Sequence, residues 1–250
     1  MDKSRTVAII QARMTSTRLP GKVLLPLGAG TILDCVLTRV AAADGIDAIC
    51  VAIPEGAAHD EIALHVARHA SVALCRGSED DVLSRYQAAS SELSADRIIR
   101  VTSDCPMIDP RVISTVVAMQ HASGAQYVAT ALESGFPIGC DAEVFTREAL
   151  EAAHSNSSDS YEREHVTAYF WRRPEQFSTL YLDRKPDLRS LRLAVDAPDD
   201  YRLAQELYAR LGGDPLFGTD AITKLLAAEP QLIAINAHVR QTPYVGLIRS

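Results

Sequence analysis

Residues Gln11 to Lys22 read QARMTSTRLPGK and gather Arg13, Arg18 and Lys22 with Thr15, Ser16 and Thr17 around a Pro-Gly pair. So many cations and hydroxyls directly after an apolar run suit the binding of an anion. Two later acidic stretches, SDCP with Asp104 and DAPDD with Asp196, supply the hard oxygen ligands that divalent cations prefer. One cationic loop and two acidic strand ends form the charge layout of a site for metal and polyphosphate, if the fold brings them together. The rest of the chain makes this a local feature. At net charge -7 over 250 residues, no broad basic surface is available for a nucleic-acid backbone.

Each piece also has a plainer reading. A basic loop can be a solvated face, and a lone aspartate after a strand is commonly a helix cap. Asp196 before Ala197-Pro198 fits a cap by itself, so the metal role rests on the pair. Asp109 before Pro110 reads as a cap or turn. The loop lacks the GxxxxGK[ST] and GxGxxG patterns. Gly28 to Gly30 give a turn into the next helix, whose start near Thr31 could favour an anion. His59, His65 and His69 read as surface or packing residues on one helix.

The positioning elements follow from apolar periodicity. TVAIIQ (6–11), AICVAI (48–53), SVALC (71–75) and RIIRVTS (97–103) predict buried strands of a parallel sheet. Between them, 31–43, 59–70 and 78–93 carry helical spacing, the last with Ser78 and Asp81 as an N-terminal cap and acidic turn. A helix follows at 109–122, opened by Pro110. Then come strands at 125–132 and 140–146, helices at 147–154 and 160–173, strands at 177–183 and 190–195, and a helix over 196–212. This alternation predicts an α/β, doubly wound, mostly parallel sheet with helices on both faces and an inserted strand and helix segment at about 125–190. In such sheets ligands bind outside the carboxyl ends of strands. That rule puts the loop after Gln11, Asp104 after the fourth strand and Asp196 after a late strand ending at Val195 in one crevice.

Composition bounds the rest. Apolar residues make up 47% and charged residues 23% of the chain, as in ordinary globular proteins. One domain is expected over 1–236, with a tail at 237–250 that shows no period. No signal peptide or membrane span is indicated, so the expected location is cytoplasmic. Cys35, Cys50, Cys75, Cys105 and Cys140 are an odd set without CxxC spacing, which favours buried free thiols.

Five blocks occur in order: IIQARMTSTRLPGKVLLPLGAGTILDCVLTRV, RGSEDDVLSRY, RVTSDCPMIDP, YEREHVTAYF and LRLAVDAPDDY. Together they resemble the SpsF-type cytidylyltransferases of spore coat polysaccharide biosynthesis, relatives of the synthetases of CMP-Kdo and CMP-sialic acid. The blocks run from about residue 6 to 208 and leave the last forty or so residues outside. The resemblance implies a fold like that of nucleotide-diphospho-sugar transferases and a Mg²⁺-dependent transfer of CMP from CTP to a sugar or sugar-acid acceptor. It implies catalytic roles for Arg13, Lys22, Asp104 and Asp196, with Asp104 and Asp196 holding the metal. It implies nucleotide contacts from Gln11, Ala12, Arg13, Ser16, Arg18, Lys22, Arg76, Gly77, Ser78 and Thr102. Gly139, Asp141, Arg163, Glu164 and His165 would face the acceptor, and a homodimer would form through the inserted segment.

The segment PIGCD departs from the family pattern PDGLD, with Ile138 in place of an acid and Cys140 in place of a larger apolar residue. That change bears on the acceptor more than on the chemistry. A phosphonate or another small phosphorylated acid is therefore an alternative acceptor, and a nucleotide-binding protein without turnover a further alternative. Retention of Lys22, Asp104 and Asp196 together counts against the last.

Overall fold

The apolar run at the start becomes β1 (Thr6–Gln11), whose residues Val7 to Ile10 are all fully buried. A computed structural model describes residues 4–130 and 134–241. After β1 the chain makes the cationic loop and a short hairpin of β2 (Pro26–Leu27) and β3 (Gly30–Thr31), then α1 (Ile32–Ala41). The Thr31 side chain and Asp34 close a capping box at the start of α1. Next come β4 (Ala48–Pro54), α2 (Asp60–Val66), β5 (Val72–Gly77), α3 (Val82–Glu92), β6 (Arg97–Thr102) and α4 (Pro110–Ser123). The Asp109 side chain caps α4 by accepting from the Arg111 amide, as its place before Pro110 suggested.

The second half supplies β7 (Tyr127–Ala129), β8 (Glu143–Thr146), α5 (Arg147–Asn156), α6 (Ser160–His165), α7 (Ala168–Trp171), β9 (Thr179–Tyr181), α8 (Pro198–Leu211) and α9 (Thr219–Ala228). The sheet order is β5-β4-β1-β6-β8-β7-β9. β5, β4, β1 and β6 pair in parallel, β8 lies antiparallel to both neighbours, and β9 pairs in parallel with β7. The result is the doubly wound, mostly parallel sheet read from the alternation of elements.

Side-chain alternation divides the core. Val7, Ile9, Cys50, Ala52 and Ile98 pack on one face with residues of α3, α5 and α7. Ala8, Ile10, Val51, Ile53 and Ile99 pack on the other with residues of α1, α2 and α4. A third cluster joins Leu27 and Ile32 to Leu193, Val195 and the apolar faces of α8 and α9. Arg39 is fully buried against this cluster, donating to the carbonyls of Ile108 and Phe217, with its guanidinium 4.3 Å from the Phe217 ring centre.

Several expectations need correction. The stretch 190–195 is not a strand; it makes an isolated bridge from Arg192 to Ile138 and otherwise runs beside the sheet. Its apolar residues serve the third cluster, which imitates a buried strand in composition. The helix expected over 160–173 breaks at Val166, which takes φ 53°. The helix at 59–70 shortens to α2, with His59 before it and His69 after it. Asp81, not Ser78, caps α3 by accepting from the Ser84 amide. The strand expected at 125–132 shortens to β7, and its last two positions lie outside the described residues. So does most of the expected tail, at 242–250.

All five cysteines are free thiols, with Cys50 and Cys75 sulfurs 3.1 Å apart on adjacent strands. Among the described residues no helix is long and apolar enough to cross a membrane.

Candidate functional site

The carboxyl ends of β1 and β6 open into a cavity of about 410 Å³. Gln11, Ala12, Arg13, Ser16, Arg18, Lys22, Thr102, Asp104, Gly139, Asp141, Glu164, His165 and Asp196 all line it. The loop after β1 folds back on itself through a bond from the Gly21 amide to the Met14 carbonyl (2.9 Å), with Gly21 at φ 68°, where a side chain would be strained. That turn delivers Lys22 inward, and only 7% of the lysine remains exposed.

Lys22 Nζ donates to Asp104 Oδ2 at 2.6 Å and to Asp196 Oδ1 at 2.7 Å. The two acids are held together by backbone, because the Val195 amide donates to the Asp104 carbonyl at 2.8 Å. Burial alone would lower the Lys22 ammonium, but the two carboxylates outweigh it and hold it above the ordinary lysine value. Burial would likewise raise Asp104, yet the adjacent ammonium holds its carboxyl well below the usual range, so it is ionised. Arg18 stands 3.2 Å from Asp196 Oδ2, and Arg192 bonds the same oxygen. Arg192 is itself fixed by buried Asp200 (3.0 Å), which also accepts from the amides of Asp196 and Ala197. The capping role that Asp196 could have played therefore falls to Asp200.

Two carboxylates already converge on one positive centre. Their oxygens match the hard donor set of a Mg²⁺-type ion, so the residues fit such a metal.

Another part of the cavity lining is built on the sheet. Arg100 and Glu143 are facing partners on β6 and β8, joined at 2.6 Å, and the Tyr127 hydroxyl donates to the other Glu143 oxygen at 2.5 Å. Asp141 sits beside them. Burial first, and then the charge of Glu143, pushes its carboxyl up to about 7. Gly139 takes φ 89°, and a Cβ there would lie 2.4 Å from the Ala194 amide nitrogen, so only glycine fits where PIGCD passes the 190–195 segment. His165 packs on Tyr161 with ring centres 4.1 Å apart, and burial, then the charge of Arg100, lowers its imidazole.

Four expected residues do not line the cavity. Arg76 turns away to Asp60 (2.6 Å), and Arg163 pairs with Asp81 (2.6 Å) and donates to the Ser157 carbonyl. Gly77 and Ser78 instead accommodate Arg85. A Cβ at Gly77 would meet Arg85 Cγ at 2.9 Å, and the Ser78 carbonyl accepts from Arg85 at 3.0 Å.

The sequence reading missed Arg85, Arg100, Glu143, Tyr161, Trp171 and Gln241, all of which line the cavity. A charged residue inside a buried strand, as Arg100 is in RIIRVTS, was the available signal. Arg85 Nε and Gln11 Oε1 are buried with no hydrogen-bond partner among the described residues. Both residues contribute to the cavity lining.

Comparison with known proteins agrees with this architecture. The family model described as cytidylyltransferase matches residues 7–211. The spore coat polysaccharide biosynthesis protein SpsF of Bacillus subtilis is 30% identical over 229 residues, covering 89% of this chain and 94% of its own. A 3-deoxy-manno-octulosonate cytidylyltransferase of Anaeromyxobacter is 27% identical, covering 91% of this chain and 99% of its own. A solved cytidylyltransferase from Leptospira borgpetersenii superposes with TM-score 0.88 at 29% identity, covering 96% of this chain and 99% of that one. The chain therefore belongs to the cytidylyltransferase family and is a nucleotidyltransferase.

Proposed function

We propose that this nucleotidyltransferase moves CMP from CTP to a sugar or sugar-acid acceptor and releases pyrophosphate. The observation that carries the reading is the cage of Lys22, Asp104 and Asp196 beside the arginine-bearing loop at the carboxyl end of β1. Arg13, Arg18 and Ser16 would take up phosphate oxygens, with Gln11 and Arg85 in the same lining beside the nucleotide. An acceptor oxygen attacks the α-phosphorus in line, the bond to the β-phosphate breaks, the acceptor proton is lost and pyrophosphate leaves. A Mg²⁺-type ion held by Asp104 and Asp196 would offset phosphate charge and acidify an acceptor hydroxyl. Lys22 and the arginines stabilise negative charge on the departing pyrophosphate.

The acceptor belongs at the sheet-built part of the lining, where Asp141, Glu164 and His165 offer partners for hydroxyl groups. His165, lowered below its ordinary value, accepts a hydrogen bond as neutral imidazole. A second reading, an acceptor bearing phosphate or phosphonate, draws on Arg100 and on Ile138 standing in place of an acid.

The test is pyrophosphate release with each of the four nucleotides and Mg²⁺ against a panel of sugar acids, sugar phosphates and phosphonates. CTP-dependent release with one acceptor class is expected. Equal release with another nucleotide, or none with CTP across the panel, overturns the reading.

The proposal extends to a homodimer through residues 125–190, where β9 forms the sheet edge with Leu180 exposed. A monomer at micromolar concentration in light scattering would refute it. The expected setting is the cytoplasm, where CTP is at hand.

A further inference from the structure

Away from the cavity, three ligating side chains converge on one point. Asp34, in the first turn of α1, receives the Thr31 amide and hydroxyl on Oδ2, each at 2.8 Å. Those bonds fix the carboxylate plane and present Oδ1 to two imidazoles. His65 Nε2, in the last turn of α2, and His69 Nε2, just beyond that helix, each stand 2.8 Å from the same Oδ1. The candidate donor atoms lie within 4.8 Å of one another, a grouping unique among the described residues. Side-chain exposures of 11% for His65, 33% for His69 and 23% for Asp34 leave the cluster shielded yet reachable. Gly30 makes room for it, since a Cβ there would lie 2.7 Å from Asp34 Oδ2.

We propose that Asp34, His65 and His69 form a binding site for a late first-row divalent metal ion such as Zn²⁺, separate from the nucleotide cavity. Two imidazole nitrogens and one carboxylate oxygen select Zn²⁺, Co²⁺ or Ni²⁺ over Mg²⁺, which prefers oxygen alone. Tetrahedral bonds of about 2.0–2.1 Å set ligand atoms roughly 3.3 Å apart, so the two contacts of Asp34 with the histidines need to open by only about half an ångström. Water completes the fourth position. Thr31 is the outer partner that orients a ligating carboxylate. Burial would raise Asp34, but the bonds from His65 and Thr31 outweigh it and hold the carboxyl below its ordinary value. The oxygen ligand is therefore already ionised at neutral pH. A bound ion would pin α1, which directly follows the cationic loop and its hairpin, to the connection between α2 and β5.

The test is a Co²⁺ titration of the metal-free full chain in excess Mg²⁺ without nucleotide, followed by visible d–d absorption and by displacement with Zn²⁺. One-to-one saturation is expected. Binding should weaken at least about tenfold in His65→Ala and His69→Gln and stay unchanged in Asp104→Asn. Zn²⁺ should raise the thermal midpoint of the parent chain and leave that of His69→Gln unmoved. His69 lies outside α2, so its variant is expected to match the parent melt without metal. The proposal is overturned by absence of saturable binding or by affinity equal to the parent's in both histidine variants. It is equally overturned by loss of binding in Asp104→Asn, or by thiolate charge-transfer bands that place the ion on cysteine.

Discussion

Two charged clusters of the cavity lining are held by opposite means. In one, Lys22, Asp104 and Asp196 come from loops 82 and 174 positions apart in the chain, and both acids keep about a quarter of their side-chain surface exposed. In the other, Arg100 and Glu143 face each other across neighbouring strands, with a side-chain exposure of 5% for Glu143. Under the proposed function, contacts of the first kind would be exchanged for a triphosphate and its cation, because the groups that hold each other are the groups such a ligand would take. Contacts of the second kind are part of the sheet and cannot be given up without disturbing its pairing. The comparison teaches that exchangeable charge stands where the proposed function puts the nucleotide and fixed charge where it puts the acceptor.

The sharpest way to break that contrast is Asp104→Ala. We expect a fall in kcat/KM for pyrophosphate release of at least about 10³-fold with little change in the melting midpoint. A loss below tenfold would remove Asp104 from the chemistry.

Glu143→Gln should show the reverse pattern in the sheet-built cluster. It leaves the half-buried Arg100 without its carboxylate, and urea unfolding should reveal a stability loss of about 2–4 kcal/mol. A change under about 1 kcal/mol would mean the pair is dispensable to the sheet.

Asp141 gives a smaller, pH-dependent effect. Its carboxyl is raised to about 7 in the folded chain, against about 3.9 in an unfolded one. The folded chain thus keeps a proton that the unfolded chain has lost. Its stabilising contribution is full below the unfolded value and disappears as pH rises through about 7. Asp141→Asn should therefore gain on the parent between pH 5 and pH 8 in thermal melts. A flat difference would show that Asp141 is ionised throughout.

Smallest of all, Arg76→Ala should change KM for CTP by less than about threefold, because Arg76 is bound to Asp60 at the surface. A larger change would bring the RGSEDD segment into the nucleotide site.

The parallel half of the sheet was legible because β1 and β4 read as near-continuous apolar runs and β6 keeps buried Ile98, Ile99 and Val101 between its two arginines. The inserted half was less so. Val166 interrupts a helical pattern with a positive φ that a β-branched residue rarely adopts, and no neighbouring residue type signals it. The stretch Leu191–Val195 has the composition of a strand but pairs through one bridge only, since its apolar side chains pack under α8. In the candidate site, Lys22 and Asp104 follow from the strand-end rule and their opposite charges, whereas Asp196 arrives from a stretch that is not a strand and is brought in by the bond from the Val195 amide to the Asp104 carbonyl. Arg85 did not, because its importance arises from burial across α3 with an unpartnered nitrogen, a property of packing that spacing does not carry. Arg76 and Arg163 show the converse. Their types suit a phosphate or an acid, and local carboxylates at Asp60 and Asp81 claim them first.

The bond between Lys22 and Asp196 also has a meaning in folding kinetics. Most sheet pairings here join strands that helical crossovers bring together, whereas this contact closes a loop of 174 positions and needs both the first turn of the chain and the start of α8 in place. Contacts of such separation gain nothing until the intervening chain is ordered. During refolding, then, secondary structure should return before the ability to bind nucleotide, and the cage marks the moment at which the two ends of the domain have met.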